Sequence, residues 1–353
     1  MRRALEHARR GLGRTTPNPV VGACVVSDDG VVVGQGAHER AGEPHAEIVA
    51  LEEAGGLARG ATLYCTLEPC VHVGRTGPCT ERVIAAGIRR VVAAMEDPDP
   101  RVQGRGFAAL RAGGIEVETG VGYEAAVRLN QPFLTTTREG RPFVILKAAT
   151  SLDGHIAARP GERTPLSSAP ALRHAQYVRA WVDAVGVGSG TILVDDPLLT
   201  VREVYRERPL TRVVFDRRLR TPAGARLLTT LAAGPVIIVT VPERATSAQA
   251  EALGRAGATV VPAAGPSLAE ALVSLPALGV QSLVLEGGAR VHGAAWDGRL
   301  ADCVQLYVSP VEVGPAGVPL LEGRRFSTAS LIERRVEQLG PDVLIEGYVH
   351  RPD

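Results

Sequence analysis

The sequence is poor in aromatic residues and in net charge. Only 4% of its 353 residues are Phe, Trp or Tyr, and 39 Lys and Arg against 38 Asp and Glu leave a formal net charge of +1. A surface that reads nucleic acid wants a basic face and rings on which bases stack, so no nucleic-acid partner is expected. Small molecules are the expected substrates. No apolar run approaches the roughly 18 residues of a membrane span, and residues 1–11 hold no apolar signal core. No membrane partner is therefore expected, and the cytoplasm is the expected compartment. Low-complexity tracts and internal repeats are also missing, because the 40 Gly and 25 Pro fall between periodic segments. The length then reads as about two domains, each with ample core.

Cysteine is scarce, with five in all. Cys24, Cys65 and Cys303 lie inside apolar runs and read as small core side chains. Cys70 and Cys79 differ, since each follows a proline among Gly, His and Arg, in the chemistry of a loop or a helix start. Upstream of them stands His45-Ala46-Glu47. One imidazole and two thiols can bind Zn²⁺ as three protein ligands and leave a fourth tetrahedral position open, which marks a catalytic rather than a structural site. Glu47 is near the metal without being needed to bind it, so it can take a proton from water and return it elsewhere. That is the logic of hydrolytic deamination, whose signature is His-x-Glu followed by Pro-Cys-x-x-Cys. The chain departs from it in the last interval, where eight residues, 71–78, separate the cysteines.

The periodicity predicts a helix over residues 1–13, then strands at 20–27 and 31–37 joined by Asp28-Asp29-Gly30, a hairpin signal. A helix over 46–54, a buried strand at 61–67 and a helix over 78–86 place His45, Glu47 and Cys79 at two helix starts. Strand, helix, strand and helix then alternate to about Leu134, which indicates an α/β layered domain. The polar stretch 135–142 is the expected boundary, giving domains 1–140 and 141–353. The second half repeats the α/β alternation and closes with antiparallel strands. Two of its Gly-rich turns follow apolar strands, Gly186-x-Gly188-x-Gly190-Thr191 and Glu286-Gly287-Gly288-Ala289-Arg290. Bare backbone N–H groups at a helix start suit a phosphate. Neither turn is a Gly-x-Gly-x-x-Gly fingerprint, and tight turns without ligand remain the alternative.

With these residues in place, the chain resembles the bifunctional riboflavin-biosynthesis deaminase-reductases over nearly its full length. The similar stretches are Pro17-Asn18-Pro19, Ala41 to Glu47, Thr66 to Cys70, and above all Cys70-Val71-His72-Val73-Gly74-Arg75-Thr76-Gly77-Pro78-Cys79, which carries the family's wide cysteine interval. In the second half they are Lys147, Ser151-Leu152-Asp153-Gly154, Thr191, Asp195-Asp196-Pro197, Thr200-Val201-Arg202 and Glu286-Gly287-Gly288. The resemblance implies a cytidine-deaminase-like α/β/α sandwich followed by a dihydrofolate-reductase-like α/β domain. It also implies Zn²⁺ and NADPH as cofactors and pyrimidine ribosyl phosphates as substrates. A homo-oligomer is expected.

The resemblance further implies Zn²⁺ on His45, Cys70 and Cys79, with Glu47 catalytic, and Asn18, His38, Arg40, His72 and Arg75 on the deaminase substrate. Lys147, Asp153, Arg163, Arg179, Leu199, Arg202 and Glu286 would meet the reductase substrate. Ala149, Pro165, Ser167, Thr191, Asp195, Gly287, Gly288, Ala289 and Arg290 would meet the cofactor. Pro165-Leu166-Ser167-Ser168 departs from the family's Trp-Ile-Thr-Ser run, which removes one aromatic cofactor contact. Arg217, Arg218 and Arg220, after the strand ending at Phe215, form a basic cluster suited to the 2′-phosphate of NADPH. The competing readings are a tRNA or nucleoside deaminase with an unrelated C-terminal domain and a non-enzymatic zinc module. The wide cysteine interval and near-neutral charge oppose the first, and the presence of Glu47 opposes the second.

Overall fold

A computed structural model of the chain describes residues 1–71, 77–324 and 326–350. The expectations for His72 and Arg75 lie outside the described residues. The chain divides into two compact units between Glu139 and Gly140, and both are α/β.

The first unit runs α1 (Arg2–Ala8), β1 (Gly22–Val26), β2 (Val32–Ala37), α2 (Ala46–Ala54), β3 (Thr62–Cys65), α3 (Cys79–Ala85), β4 (Arg90–Ala93), α4 (Arg105–Ala112), β5 (Glu116–Thr119) and α5 (Tyr123–Glu139). Its sheet has the order β2-β1-β3-β4-β5. The hairpin expected at Asp28-Asp29-Gly30 forms the antiparallel β1–β2 pair, while β3, β4 and β5 are parallel. Glycine makes the helix-to-strand packing possible here. A Cβ on Gly22 would lie 2.0 Å from the Ala4 carbonyl oxygen, and one on Gly34 2.1 Å from that of Ala50. So α1 and α2 rest directly on strand backbone, and a methyl group at either glycine would push a helix away. Cys24 and Cys65 are core residues, as expected.

Two elements differ from the expected limits. The first helix gives way to a single 3-10 turn, Arg9–Gly11, in place of a helix to residue 13. Most of the polar stretch 135–142 is the last part of α5, which continues to Glu139 with Thr135 fully buried, and the two units part at the end of that helix. Asn130 on that helix faces inward with its amide satisfied. Asn130 takes a hydrogen bond from the Val20 N–H (2.7 Å) and donates to the Val20 carbonyl (2.9 Å).

The second unit holds β6 (Phe143–Thr150), β7 (His155–Ala157), α6 (Ala169–Trp181), β8 (Ala184–Gly188), α7 (Ser189–Asp195), β9 (Thr211–Phe215), β10 (Val236–Thr240), α8 (Ala248–Arg255), β11 (Thr259–Pro262), α9 (Leu268–Val273), β12 (Ser282–Leu285), α10 (Ala289–Asp297), β13 (Cys303–Val308), β14 (Val318–Pro319), β15 (Ile332–Leu339) and β16 (Asp342–Tyr348). Nine strands form one sheet in the order β11-β10-β9-β8-β12-β6-β13-β16-β15. The pairs from β11 to β13 are all parallel, and β16 and β15 close the sheet antiparallel, as the sequence leads one to expect. Strand β15 escapes the sequence reading because it is an exposed edge, reading Ile-Glu-Arg-Arg-Val-Glu-Gln-Leu with no apolar alternation. The parallel strands are apolar on both faces, since helices cover them. β12 is inserted between β6 and β8, so the strand order reverses there. Ligands bind such sheets beyond the carboxyl ends of the strands at that reversal.

Candidate active sites

In the first unit the chain brings His45, Cys70 and Cys79 together. His45 is the N-cap of α2 with extended backbone, and Cys79 is the first residue of α3 after the N-cap Pro78. The His45 Nδ1 lies 3.2 Å from the Cys79 sulfur and 3.6 Å from the Cys70 sulfur, and the Cys79 N–H donates to Cys70 Sγ at 3.4 Å. Their ligand atoms all lie within 4.8 Å of one another. In the bare protein the two thiols cannot both ionise. The hydrogen bond from Cys79, aided by His45, pulls Cys70 down to about 4, while the same proton sharing, with burial, holds Cys79 far above the usual thiol range. A divalent cation resolves that conflict, because it stabilises both thiolates at once.

Glu47, in the first turn of α2, is buried, and its Oε2 has no hydrogen-bond partner. Burial pushes its carboxyl up to about 7, against the pull of His45. A buried carboxyl with one orphaned oxygen beside two thiols and an imidazole fits a site built for a cation and a reacting water. The donor set is one that suits Zn²⁺.

Asn18 and His38 stand next to this centre. The His38 ring meets the His45 ring edge-on with centroids 5.2 Å apart. His38 Nδ1 faces the Pro44 carbonyl at 3.2 Å, and a carbonyl can only accept, so Nδ1 carries the hydrogen and Nε2 accepts from Asn18 Nδ2 at 3.0 Å. Burial also pushes the His38 pKa down. His38 is thus occupied on both nitrogens and only 2% exposed; it holds the amide nitrogen of Asn18. Arg40 makes a surface pair with Glu43.

In the second unit the two Gly-rich turns converge at the strand-order reversal. The Glu286 N–H donates to the Gly186 carbonyl at 2.8 Å, and a Cβ on Gly287 would lie 3.3 Å from Thr191 Oγ1 and 3.7 Å from the Gly188 nitrogen. Gly287 has φ +144°, a backbone conformation that L side chains rarely adopt. Beside the turns Arg179 grips both carboxylate oxygens of Glu286 at 2.8 Å and donates to the Thr200 carbonyl. Burial works against the Glu286 anion, yet Arg179 and Lys147 outweigh it and hold the carboxyl at about 2. Burial pushes Lys147 down, with Glu286 opposing. Lys147, Arg179, Glu286, Gly287 and Thr191 therefore gather at the carboxyl ends of β6, β8 and β12. Ala289 and the exposed Arg290 open α10 beside them.

Other expected residues are engaged differently. Asp153 accepts from Ser151 Oγ, from the Val313 and Gly314 N–H groups, and faces His155, so its carboxylate fastens the turn before β7 to the 313–314 loop. Those bonds hold its pKa well below the carboxylate range. The Arg202 N–H is tied to Gln176 Oε1 with the side chain exposed, Leu199 is buried, and Arg163 and Pro165 are exposed. Asp195 feels the charge of Arg163. Ser167 lies just before α6, and Ala149 packs with the cluster under it. Arg217 and Arg218 are exposed on the turn after β9, and Arg220 donates to Ser189 Oγ at 2.9 Å, joining that turn to the first Gly-rich one.

Residues that sequence reasoning passed over also matter. Glu68, within the Glu-Pro-Cys motif, accepts four backbone N–H groups, and Tyr307 and His292 flank Lys147. Only proximity to Cys70 could have marked the first; nothing in the local sequence marks the other two.

Comparison with known proteins identifies the class. Residues 1–95 match the family model described as the cytidine and deoxycytidylate deaminase zinc-binding region, and residues 142–345 match that of the RibD C-terminal domain. The chain is 40% identical over 351 residues to the riboflavin biosynthesis protein RibD of Aquifex aeolicus, covering 98% of this chain and 96% of that one. It is 38% identical over 358 residues to the Escherichia coli RibD, with 98% and 97% covered. Solved structures agree. Acinetobacter baumannii RibD superposes with a TM-score of 0.86 at 35% identity, covering 98% of this chain and 97% of that one. A Thermotoga maritima protein described as a diaminohydroxyphosphoribosylaminopyrimidine deaminase and 5-amino-6-(5-phosphoribosylamino)uracil reductase gives 0.85 at 34%, with 99% and 97% covered. The class is a zinc-type deaminase domain joined to a reductase domain. Within it, this chain belongs to the RibD family of riboflavin biosynthesis proteins. Among the described residues no helix is long and apolar enough to cross a membrane.

Proposed function

We propose that the protein is a bifunctional riboflavin-biosynthesis enzyme. It deaminates the 2-amino group of a diaminopyrimidinone ribosyl phosphate and then reduces the ribosyl group to a ribityl chain. The observation that supports it best is the buried Glu47 carboxyl, its Oε2 without a partner, beside His45, Cys70 and Cys79, in a chain whose other half belongs to the RibD reductases.

His45, Cys70 and Cys79 hold Zn²⁺, which supplies a Lewis acid that makes water acidic near neutrality. Glu47 takes a proton from the attacking water and hands it to the departing nitrogen, so that ammonia leaves and a carbonyl oxygen replaces the amino group on that carbon. Asn18, its amide set by His38, accepts from an N–H of the pyrimidine. His72, Arg75 and Arg40 are assigned to the ribosyl phosphate by resemblance.

In the reductase, NADPH supplies a hydride to C1′ of the ring-opened ribose, and the adjoining nitrogen takes a proton. The turns at Gly188–Thr191 and Gly287–Arg290 cradle cofactor phosphates with backbone N–H groups, with Asp195, Pro165, Ser167 and Ala149 beside them. Lys147 and Glu286 face the sugar. Arg163, Arg179, Leu199 and Arg202 are assigned to substrate, and Asp153 supports them by fixing its loop. Residues 1–140 form the deaminase domain and 141–353 the reductase domain. We place the enzyme in the cytoplasm as a homo-oligomer, a reading supported by the exposed Ile332 and Val336 on edge strand β15.

Incubating purified protein with the diaminopyrimidinone ribosyl phosphate should release ammonia without NADPH, and NADPH oxidation should follow when it is added. Glu47→Gln should keep the metal and abolish ammonia release while leaving reduction of pre-deaminated substrate intact. Deamination by that variant at the wild-type rate would refute the acid–base role.

A further inference from the structure

We propose that Tyr307 is a positioning residue for the reduction: its ring, held by its packing against α6 and β16, seats the Lys147 ammonium. The inference rests on the reductase reading above.

β6 and β13 are parallel neighbours in which Lys147 pairs with Gln305. Tyr307 is two residues further on and so projects from the same face of the sheet as Lys147. The Lys147 Nζ lies 5.2 Å from the Tyr307 ring centroid, within reach of the attraction between a cation and an aromatic face. The ring has no room to swing away. Tyr307 is 1% exposed and packs among Ala171 and Ala175 of α6 and Leu344 of β16. Its hydroxyl stands 2.7 Å from Nδ1 of His174, also on α6.

The other charged or titratable groups facing Lys147 are Glu286 beyond β12, Arg179 on α6 and His292 on α10. Arg179 already holds both oxygens of Glu286, which leaves that carboxylate with a fixed direction. A lysine ammonium rides on a flexible four-carbon stem with freely rotating donors. Charge from Glu286 alone would attract it without defining where it rests; a rigid ring on the neighbouring strand does define that. Loss of the ring also removes stabilisation of the cation, in a place where burial already pushes Lys147 down.

The test is steady-state reduction of 5-amino-6-(5-phosphoribosylamino)uracil with NADPH by the full-length zinc-loaded protein, as a function of pH, for Tyr307→Leu and Tyr307→Phe. A calorimetric melt and NADPH binding by the same preparations check that the second unit, which carries Tyr307, is folded. For the Leu variant we expect kcat to fall about tenfold, with KM for NADPH changed by less than about twofold. The alkaline limb of its kcat profile should move to lower pH, because Lys147 gives up its proton more readily without the ring. The Phe variant keeps the ring and should keep rate and limb near wild type. A Leu variant with wild-type kcat and limb, or a Phe variant as slow as Leu, overturns the proposal. Should the Leu variant fail to fold, Phe alone decides: a wild-type profile supports the proposal and a tenfold loss overturns it. Wild-type protein that oxidises no NADPH would overturn the reductase reading first, and the positioning role with it.

Discussion

Replacing Glu68 with glutamine should loosen the loop that carries Cys70, and the structure sets the size of the effect. Glu68 is 3% exposed. Its Oε2 accepts from the Asp97 and Gly104 N–H groups at 3.1 and 3.0 Å, and its Oε1 from Gly106 and Phe107 at 2.8 and 3.2 Å. The last two amides belong to the first turn of α4, where N–H groups have no partner within the helix. A carboxylate there satisfies them and opposes the positive end of the helix. Glutamine keeps the shape but can accept through one atom only; its NH₂ then points at two amide donors. Two buried N–H groups left unsatisfied cost about 1–3 kcal/mol each, or roughly 2–6 kcal/mol together. For a unit of this size, at roughly 3–4 °C per kcal/mol, that lowers Tm by roughly 6–24 °C. Scanning calorimetry of the full-length protein reads it directly, and metal content after dialysis reads the consequence two residues on, at Cys70. A Gln variant that melts within a degree or two of wild type and retains its metal would refute the reasoning, since it would mean the amides find other partners at no cost.

The remaining expectations concern the two sites. Cys70→Ser should lose zinc by elemental analysis, because a hydroxyl is a poor substitute for thiolate beside His45 and Cys79; full retention would remove Cys70 from the ligand set. Arg179→Ala should destabilise the second unit by about 3–5 kcal/mol at pH 7, since it strands the buried Glu286 carboxylate. The depressed Glu286 pKa, about 2 against an ordinary 4.5, stabilises the native state by about 3 kcal/mol above pH 4.5, a contribution lost as pH falls towards 2. Denaturant melts should therefore show the Arg179→Ala deficit shrinking over that interval, and a deficit constant with pH would contradict the pairing. Arg217→Ala with Arg218→Ala should weaken NADPH more than NADH, by about 1.5–3 kcal/mol per charge-assisted contact; equal losses would place the 2′-phosphate elsewhere. Residues 1–139, ending where α5 ends, should deaminate when expressed alone, and an insoluble or inactive fragment would make the two halves interdependent.

The sequence by itself was enough for the chemistry of the first site. His45, Glu47 and Cys79 stand at helix starts and Cys70 follows a proline in the loop after β3; proline, a cap position and spacing are local signals that a linear reading captures. It also carried the alternation of strands and helices, because buried parallel strands and amphipathic helices print their periods on the residues themselves. The limits of α5 were not legible. Thr135 looks like a linker residue, and only the folded chain shows the helix continuing past it with its side chain buried. Nor was β15, whose pairing comes from its neighbour β16 and leaves its outward side chains polar. The second site depended most on the fold. Lys147, Arg179, Glu286 and Tyr307 come from a central strand, a crossover helix, a strand end and a neighbouring strand. Their meeting follows from the insertion of β12 between β6 and β8, a choice of sheet order that no local pattern encodes. Whether a named side chain is free for substrate was likewise decided in three dimensions, since Asp153 and His38 carry the expected chemistry but have their polar atoms bound to neighbours that only the folded chain supplies.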